Sequence, residues 1–289
     1  MRTMAIFSIL LVCLCACLIA QDDNRGIGGV TTKEGASVTR GDFYLLVIGI
    51  NDYMHFPKLQ TAVNDAKGVR DTLIQRYGFE ETKTVALFDM EATAKRIYIE
   101  LSQLADRIGP DDSLVLFYAG HGQLDKYTKS GYWVPVNGAA DDRTTWIPNT
   151  ELLKFFKADA IKARHILLVS DSCFAGDFFN RSAAMPRIDD AYVRQAFQKT
   201  SREAITSGGV EPVTDVGYGG HSVFAHFFLK ALTDNSDSYL MPTAIYERVK
   251  GGISQNASQQ AQHGLLANTG GEQGGRVCIL PQGRRGEPG

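Results

Sequence analysis

The chain has 289 residues, 44% of them hydrophobic and 21% charged, with a formal net charge of −2. That length and apolar content suit one large α/β domain, or one domain with a small lobe, able to bury a substantial core. The near-neutral balance, with no long basic block, gives no electrostatic footprint for nucleic acid or for an anionic membrane surface.

The first residues, "MRTMAIFSILLVCLCACLIA", carry one positive charge (Arg2), an apolar stretch from Ala5 to Val12 and small residues after it. This is the pattern of an export signal, too short to cross a membrane comfortably. The tail "LCAC" resembles a bacterial lipobox with Leu14 at −3, Ala16 at −1 and Cys17 as the lipidated residue, while Cys15 at −2 departs from it. The expectation is a signal peptide over 1–16 and an exported, membrane-anchored protein facing the periplasm or exterior, held only through its lipid. Plain secretion after Ala20 is the alternative. Residues 17–41, rich in Gly and Thr, read as a flexible tether. Of the five cysteines, only Cys173 and Cys278 then belong to the folded domain. Two cysteines make no disulfide framework, although a single bridge between them stays open.

The folded domain is expected over 42–281, with a short tail over 282–289. "FYLLVIGI" (43–50) is a continuous apolar run of the kind a strand buried on both faces shows. A helix follows, with Ala62, Ala66, Val69 and Leu73 at helical spacing and Gly78 as its stop. "TVALFD" (84–89) is a second strand, and Ile97, Leu101, Leu104 and Ile108 mark the apolar face of a second helix. "SLVLFYAGHG" (113–122) is a third strand running into a glycine turn. Beyond a meander around "GYWVPVNG", a helix opens at Asn149, a plausible N-cap. "ARHILLVSDSC" is a fourth strand and "REAITSGG" (202–209) a fifth. Ser222 is placed to cap a helix carrying Phe224, Phe227, Phe228, Ala231 and Leu232, and another helix spans about 242–256. "GGRVCILP" (274–281) closes the series as a last strand.

Strands alternating with helices predict an α/β fold: a mainly parallel central sheet of about six strands with helices on both faces. Ligands of such sheets sit beyond the carboxyl ends of the strands. That rule selects "AGHG" after the third strand and "DSCFAG" after the fourth. His121 and Cys173, 52 positions apart, would then end neighbouring strands on one sheet edge. A thiolate is a good nucleophile, and a nearby imidazole can take its proton and later return it to a leaving amine. The backbone N–H groups of Gly122 and Cys173 are candidates for holding an oxyanion. The chemistry is acyl transfer, in practice peptide-bond hydrolysis.

"FYAGHGQ" together with "LLVSDSCFAG" resembles the caspase and metacaspase superfamily of cysteine peptidases, and most of all its bacterial caspase-like members. Asp171-Ser172-Cys173 is the metacaspase form of the cysteine motif. The likeness extends from about Phe43 through "VNDAKGVRDTL", "SGGVEPV" and "GHSVFAHFFLKAL" to "GGRVCILP". It implies a caspase-like fold, with His121 as general base and Cys173 as nucleophile. It also implies that Asp65 and Asp171 form the acidic pair of a specificity pocket, with Ser207 as a further pocket wall. Two carboxylates call for a cation, so the expected substrate is a protein or peptide with Arg or Lys before the scissile bond. The active form is expected to be a monomer.

Calcium-dependent metacaspases carry an acidic insertion after the histidine motif. Here that stretch holds Asp125 with two lysines, and Asp141 and Asp142 lie further on. A calcium ion wants six or more oxygen ligands, so no cofactor is required, calcium is doubtful, and no metal ligands are assigned. Arg181, Arg187, Arg194, Lys199 and Arg202, between the cysteine and the fifth strand, are possible self-cleavage points. His165, His221 and His226 read as structural, and Asp89, Asp111 and Asp112 as turn and capping residues. Blander readings stand beside these: Cys173 as a core residue, Asp65 as an exposed helix residue, Asp171 as a turn former. A catalytically silent caspase-like scaffold and a hydrolase using Ser170 or Ser172 are the rival functions.

Overall fold

The computed structural model describes residues 30–31, 37–38, 41–173, 178–179, 196–208, 217–256, 260–271, 275–277, 279 and 281. The signal segment, Cys17, Arg181, Arg187, Arg194 and Cys278 lie outside these residues, and so does any bridge to Cys278. A short antiparallel ribbon, β1 (Val30–Thr31) with β2 (Ser37–Val38), precedes the domain.

Strand β3 (Phe43–Gly49) is buried at every position, as are β5 (Ser113–Ala119) and β9 (His165–Asp171). Their continuous apolar runs follow from cover on both faces. Leu45 and Val47 of β3 join one core, while Leu46 and Ile48, pointing the other way, join a second. The first core is closed by helix α1 (Ala62–Tyr77), α4 (Val223–Thr233) and α5 (Pro242–Asn256). The second is closed by α2 (Ala94–Arg107) and α3 (Asn149–Phe155). Three layers result, with helices on both sides of the sheet.

The central sheet has six strands in the order β11-β10-β9-β5-β3-β4, where β4 is Thr84–Phe88, β10 is Ser201–Thr206 and β11 is Gln262–Leu265. All neighbours are parallel except β11, which runs antiparallel to β10. A smaller antiparallel sheet of β6 (Gly122–Leu124), β7 (Gly131–Trp133) and β8 (Ile147–Pro148) forms the expected meander. No described helix is long and apolar enough to cross a membrane.

Most helix ends fall where the sequence puts them. Gly78 stops α1 in the left-handed region at φ 70°, and the Ser222 hydroxyl accepts from the Ala225 N–H to cap α4. Asp112 accepts from the N–H groups of Asp42 and Gly109, as a turn residue should. Two expectations are corrected. Asn149 is the first helical residue of α3, with Pro148 as its cap and no side-chain cap bond. The sixth strand is Gln262–Leu265 rather than 274–281, where the described part of the segment contributes a bridge from Ile279 to Leu240. The added strand is joined by its backbone ladder and by a buried contact. Glu203 accepts from the Ser201 hydroxyl (2.9 Å) and the Val277 N–H (3.1 Å), and stands 2.8 Å from His263 Nε2.

Arg202 is also no cleavage point. Its side chain is fully buried, and its guanidinium donates to the carbonyls of Phe156, Ile161, Arg164 and Ser201. Burial lowers its pKa to about 10.

His165 is structural, as expected. It opens β9 fully buried, with Nε2 donating to the Phe197 carbonyl (2.9 Å) and Nδ1 3.2 Å from the Ser113 hydroxyl. Burial pushes its pKa down to about 3. The unfolded chain therefore takes up a proton near pH 6.5 that the folded chain refuses. His165 alone should cost about 1.4 kcal/mol of stability per pH unit on acidification below that point. In urea unfolding at about pH 7 and about pH 5.5, wild type should lose ~1.4 kcal/mol more than His165→Gln. Equal losses would contradict the assignment.

Candidate active site

The β5–β9 register pairs Tyr118 with Ser170 and Ala119 with Asp171. His121 and Cys173 each stand two residues past that last pair, so equal offsets carry them to the same place on the sheet edge. The Gly120 N–H donates to the Asp171 carbonyl (3.2 Å), extending the ladder one step. Gly122 then packs directly on Cys173. A Cβ at position 122 would lie 2.0 Å from the Cys173 carbonyl oxygen and 3.3 Å from its amide nitrogen. No side chain fits at Gly122, whose Cα lies close against the Cys173 backbone.

Cys173 carries a thiol at intermediate exposure, and His121 is exposed to a similar degree. Ser170 and Ser172 are fully buried and hydrogen-bonded to each other through their hydroxyls (2.9 Å). Neither serine is presented as a nucleophile, which removes the serine-hydrolase alternative.

The backbone of His121 is clamped by two phenols. Its N–H donates to the Tyr53 hydroxyl (2.7 Å), and its carbonyl accepts from the Tyr118 hydroxyl (2.7 Å) and the Val134 N–H (3.0 Å). Tyr53 and Tyr118 also bond one another, and burial pushes both hydroxyls well above the ordinary tyrosine range. They stay neutral and act as fixed hydrogen-bonding groups. A Cβ at Gly120 would lie 2.5 Å from the Tyr53 oxygen, so this clamp also requires glycine.

The imidazole packs against Tyr53 (ring centroids 4.7 Å apart) and Phe56 (5.7 Å). Its Nε2 lies 2.8 Å from the Pro57 carbonyl oxygen. A carbonyl only accepts, so Nε2 carries the hydrogen and Nδ1 keeps the lone pair in the neutral ring. The Pro57 carbonyl was not visible as a site group in the sequence, because a main-chain acceptor leaves no residue-type signal, and Tyr53 lies in no motif that marks it.

Asp65 and Asp171, from the first turn of α1 and the end of β9, are brought together by Ser222. Its N–H faces both Asp65 oxygens (3.3 Å each), and its hydroxyl donates to Asp171 Oδ2 (2.5 Å). Both carboxylates are nearly inaccessible, at 1% and 5% exposure, so Asp65 is not an exposed helix residue. His221, read from sequence as structural, contacts this pair: its Nδ1 lies 2.7 Å from Asp65 Oδ1. Burial lowers the His221 pKa, which keeps the ring neutral near pH 7 as a donor to the carboxylate. Gly219 and Gly220, at φ 65° and 80°, turn the preceding loop so that the Gly220 carbonyl accepts from Asn64 Nδ2 (2.8 Å). Ser207 is fully buried beside β9, its N–H donating to the Ser170 carbonyl (3.0 Å).

Two of the acidic residues that follow the histidine motif, Asp125 and Asp142, are engaged by neighbouring groups. Asp125 Oδ1 accepts from the N–H groups of Tyr127 and Thr128, and Oδ2 pairs with the Arg143 guanidinium. Asp142 is occupied in capping Thr144. Among the described residues, no group of three or more His, Cys, Asp or Glu side chains is placed to hold a metal.

The family profile of the caspase domain matches residues 43–269, more than half of the chain. The chain belongs to the caspase-domain family. Its relatives include metacaspase-1 of Eremothecium gossypii, 34% identical over 33% of this chain and 22% of that protein. Metacaspase-6 of Arabidopsis thaliana is 27% identical over 47% of this chain and 39% of that protein. The chain thus spans well under half of the curated relatives it matches. In fold it resembles the crystal structure of protein GSU0716 from Geobacter sulfurreducens, with a TM-score of 0.55 and 18% identity over 77% of this chain and 92% of that one. The caspase-domain assignment supports a cysteine peptidase.

Two glycines make a controlled comparison. Gly122→Ala must separate the histidine and cysteine loops and should destabilise the domain by ~1–3 kcal/mol. Gly251, within α5, has open space where a Cβ would stand. Gly251→Ala should stabilise by about 0.5–1 kcal/mol through helix propensity. Urea unfolding of both variants checks the pair, and an innocuous Gly122→Ala would contradict the close approach.

Proposed function

We propose that this caspase-domain protein is a cysteine endopeptidase working through Cys173 and His121, with preference for Arg or Lys before the scissile bond. The observation that carries the dyad is the equal two-residue offset past paired strand ends, with His121 Nε2 committed to the Pro57 carbonyl. In this reading the Cys173 thiol gives its proton to His121 Nδ1, and the sulfur attacks the scissile carbonyl carbon. The N–H groups of Cys173 and Gly122 hold the tetrahedral oxyanion. The C–N bond breaks, the leaving amine takes the proton from His121, and a thioester remains. Water then attacks the thioester, losing its proton to His121, and the thiolate leaves and is reprotonated as the acid product departs.

The basic preference is supported by the Asp65–Ser222–Asp171 arrangement. Two nearby carboxylates in a low-dielectric setting repel each other and are relieved by a cation, for which a guanidinium fork is well shaped. Ser222, capping α4, holds the two carboxylates at fixed positions, and His221 is a neutral donor on the same side.

Fluorogenic peptides ending in Arg, Lys or Asp, given to the full chain and its variants, test both parts. Turnover should follow Arg and Lys and vanish in Cys173→Ala and in His121→Ala. Asp65→Asn should lower kcat/KM for Arg peptides on the order of 10²-fold, chiefly through KM, because it removes one partner of a buried charge contact. Turnover after Asp would retain the dyad and overturn the pocket. Absence of turnover with every peptide would favour a silent scaffold.

A further inference from the structure

His121 takes its orientation from a loop that is itself held from outside. Residues 50–60 leave β3 and present two acceptors to this histidine: the Tyr53 hydroxyl to its N–H (2.7 Å) and the Pro57 carbonyl to Nε2 (2.8 Å). The loop closes on Asn51. The Asn51 carbonyl accepts from the N–H groups of Tyr53 (3.2 Å) and Leu59 (3.0 Å). Its side-chain Oδ1 accepts from the Val63 N–H (3.2 Å), and its Nδ2 donates to the Gln60 carbonyl (3.3 Å). Entry and exit of the loop are thus tied to one residue.

Asn51 is in turn tied to Asp89. The N–H groups of Asn51 and Asp52 both donate to Asp89 Oδ1, at 2.7 and 2.9 Å. Asp89 stands one residue past the β3–β4 ladder, whose last pair is Gly49 with Phe88. It is held at φ 46°, a left-handed conformation uncommon outside glycine and accessible to aspartate. An unfavourable backbone state persists where its surroundings over-determine it. Here it turns a charged acceptor onto the two amides that begin the loop, and charge-assisted bonds of this kind are the stronger ones. The only other charged anchor of the loop among the described contacts is the exposed Lys58–Asp52 pair, which sets little.

We infer that Asp89 is a positioning residue: acting through Asn51, it sets the Pro57 carbonyl that fixes which ring nitrogen of His121 carries the hydrogen. The inference rests on the proposed Cys173–His121 mechanism. Without the Asp89 anchor the loop keeps its bonds from the Met54 N–H to the Val136 carbonyl and from the His121 N–H to Tyr53. Its Asn51 hub loses its fixed point, however, and the Pro57 carbonyl is held less firmly at Nε2. The ring then populates both neutral tautomers, and the fraction with a basic Nδ1 falls.

The test uses Asp89→Gly, which adopts the same left-handed backbone without an acceptor, and Asp89→Asn, which tolerates the conformation and keeps Oδ1. The ring-nitrogen NMR signature of His121 is recorded in the full chain at neutral pH, with the pH profile of kcat/KM on Arg peptides. Wild type should show the single Nε2–H tautomer. Asp89→Gly should show mixed tautomers, an acid limb of the profile displaced from that of wild type, and kcat lowered about tenfold with KM nearly unchanged. Asp89→Asn should recover the wild-type tautomer and most of kcat. Asn51→Ala, which loosens the loop from inside, should reproduce the Asp89→Gly signature and serves where Asp89→Gly does not fold. A folded Asp89→Gly or Asn51→Ala with the wild-type tautomer and profile overturns the inference, as does an Asp89→Asn no better than Asp89→Gly. Hydrolysis that survives His121→Ala overturns instead the mechanism beneath it.

Discussion

The in-register parallel pairing of β5 with β9 is the constraint on which the candidate site depends. Parallel strands present their carboxyl ends to one edge, and their hydrogen bonds admit only whole-residue shifts. With Ala119 opposite Asp171, the two chains leave the sheet level; Gly120 still donates to the Asp171 carbonyl, and Gly122 lies against the Cys173 backbone. A slip of one residue would turn every side chain of a strand to the other face. The two cores forbid it, since Val115 and Phe117 belong to one and Leu114, Leu116 and Tyr118 to the other. The same burial that stabilises the sheet therefore fixes the distance between the histidine and cysteine loops.

Around that edge the structure uses rigid neutral groups near His121 and ionisable groups further off. Tyr53 and Tyr118 are deeply buried phenols whose ionisation is suppressed, so the clamp on the histidine backbone does not change with pH in the physiological range. The carboxylates of Asp65 and Asp171 are instead gathered around Ser222, whose hydroxyl serves both as donor to Asp171 and as the cap of α4. One residue, through its N–H to Asp65 and its hydroxyl to Asp171, thereby couples the acidic pair to a helix whose face is built into the core. Such a coupling gives the pair a fixed spacing at a desolvation cost that a bound cation would relieve.

How much of this was legible in the sequence follows from what each feature asks of its residues. β3, β5 and β9 require continuous apolar side chains, and the runs at 43–50, 113–119 and 165–169 declare them. The caps at Gly78 and Ser222 need particular residue types and were equally readable. β11 is different. "QHGL" carries no apolar alternation, because the strand is held by its ladder to β10 and by the Glu203–His263 contact. The acidic pair entered through the family resemblance, and the histidine and cysteine motifs were readable as residue types. The groups that organise them were not: Pro57 acts through a carbonyl that every residue has, and Ser222 and His221 each look fully explained by the helix they precede.

The choice of a thiol at this edge is intelligible from the same packing. Ser170 and Ser172 flank Asp171 with buried hydroxyls that satisfy each other, so the polar character of the segment is absorbed internally. Position 173 is the first after the strand with solvent access, and Gly122 presses on its backbone from the opposite loop. In the proposed mechanism a hydroxyl there would need strong activation, whereas a thiol is the more acidic nucleophile. The imidazole Nε2 faces the neutral dipole of a carbonyl, and among the described contacts no carboxylate meets it. A neutral dipole orients the ring without placing a second charge beside it, and in the proposed mechanism that is enough for a nucleophile as acidic as a thiol.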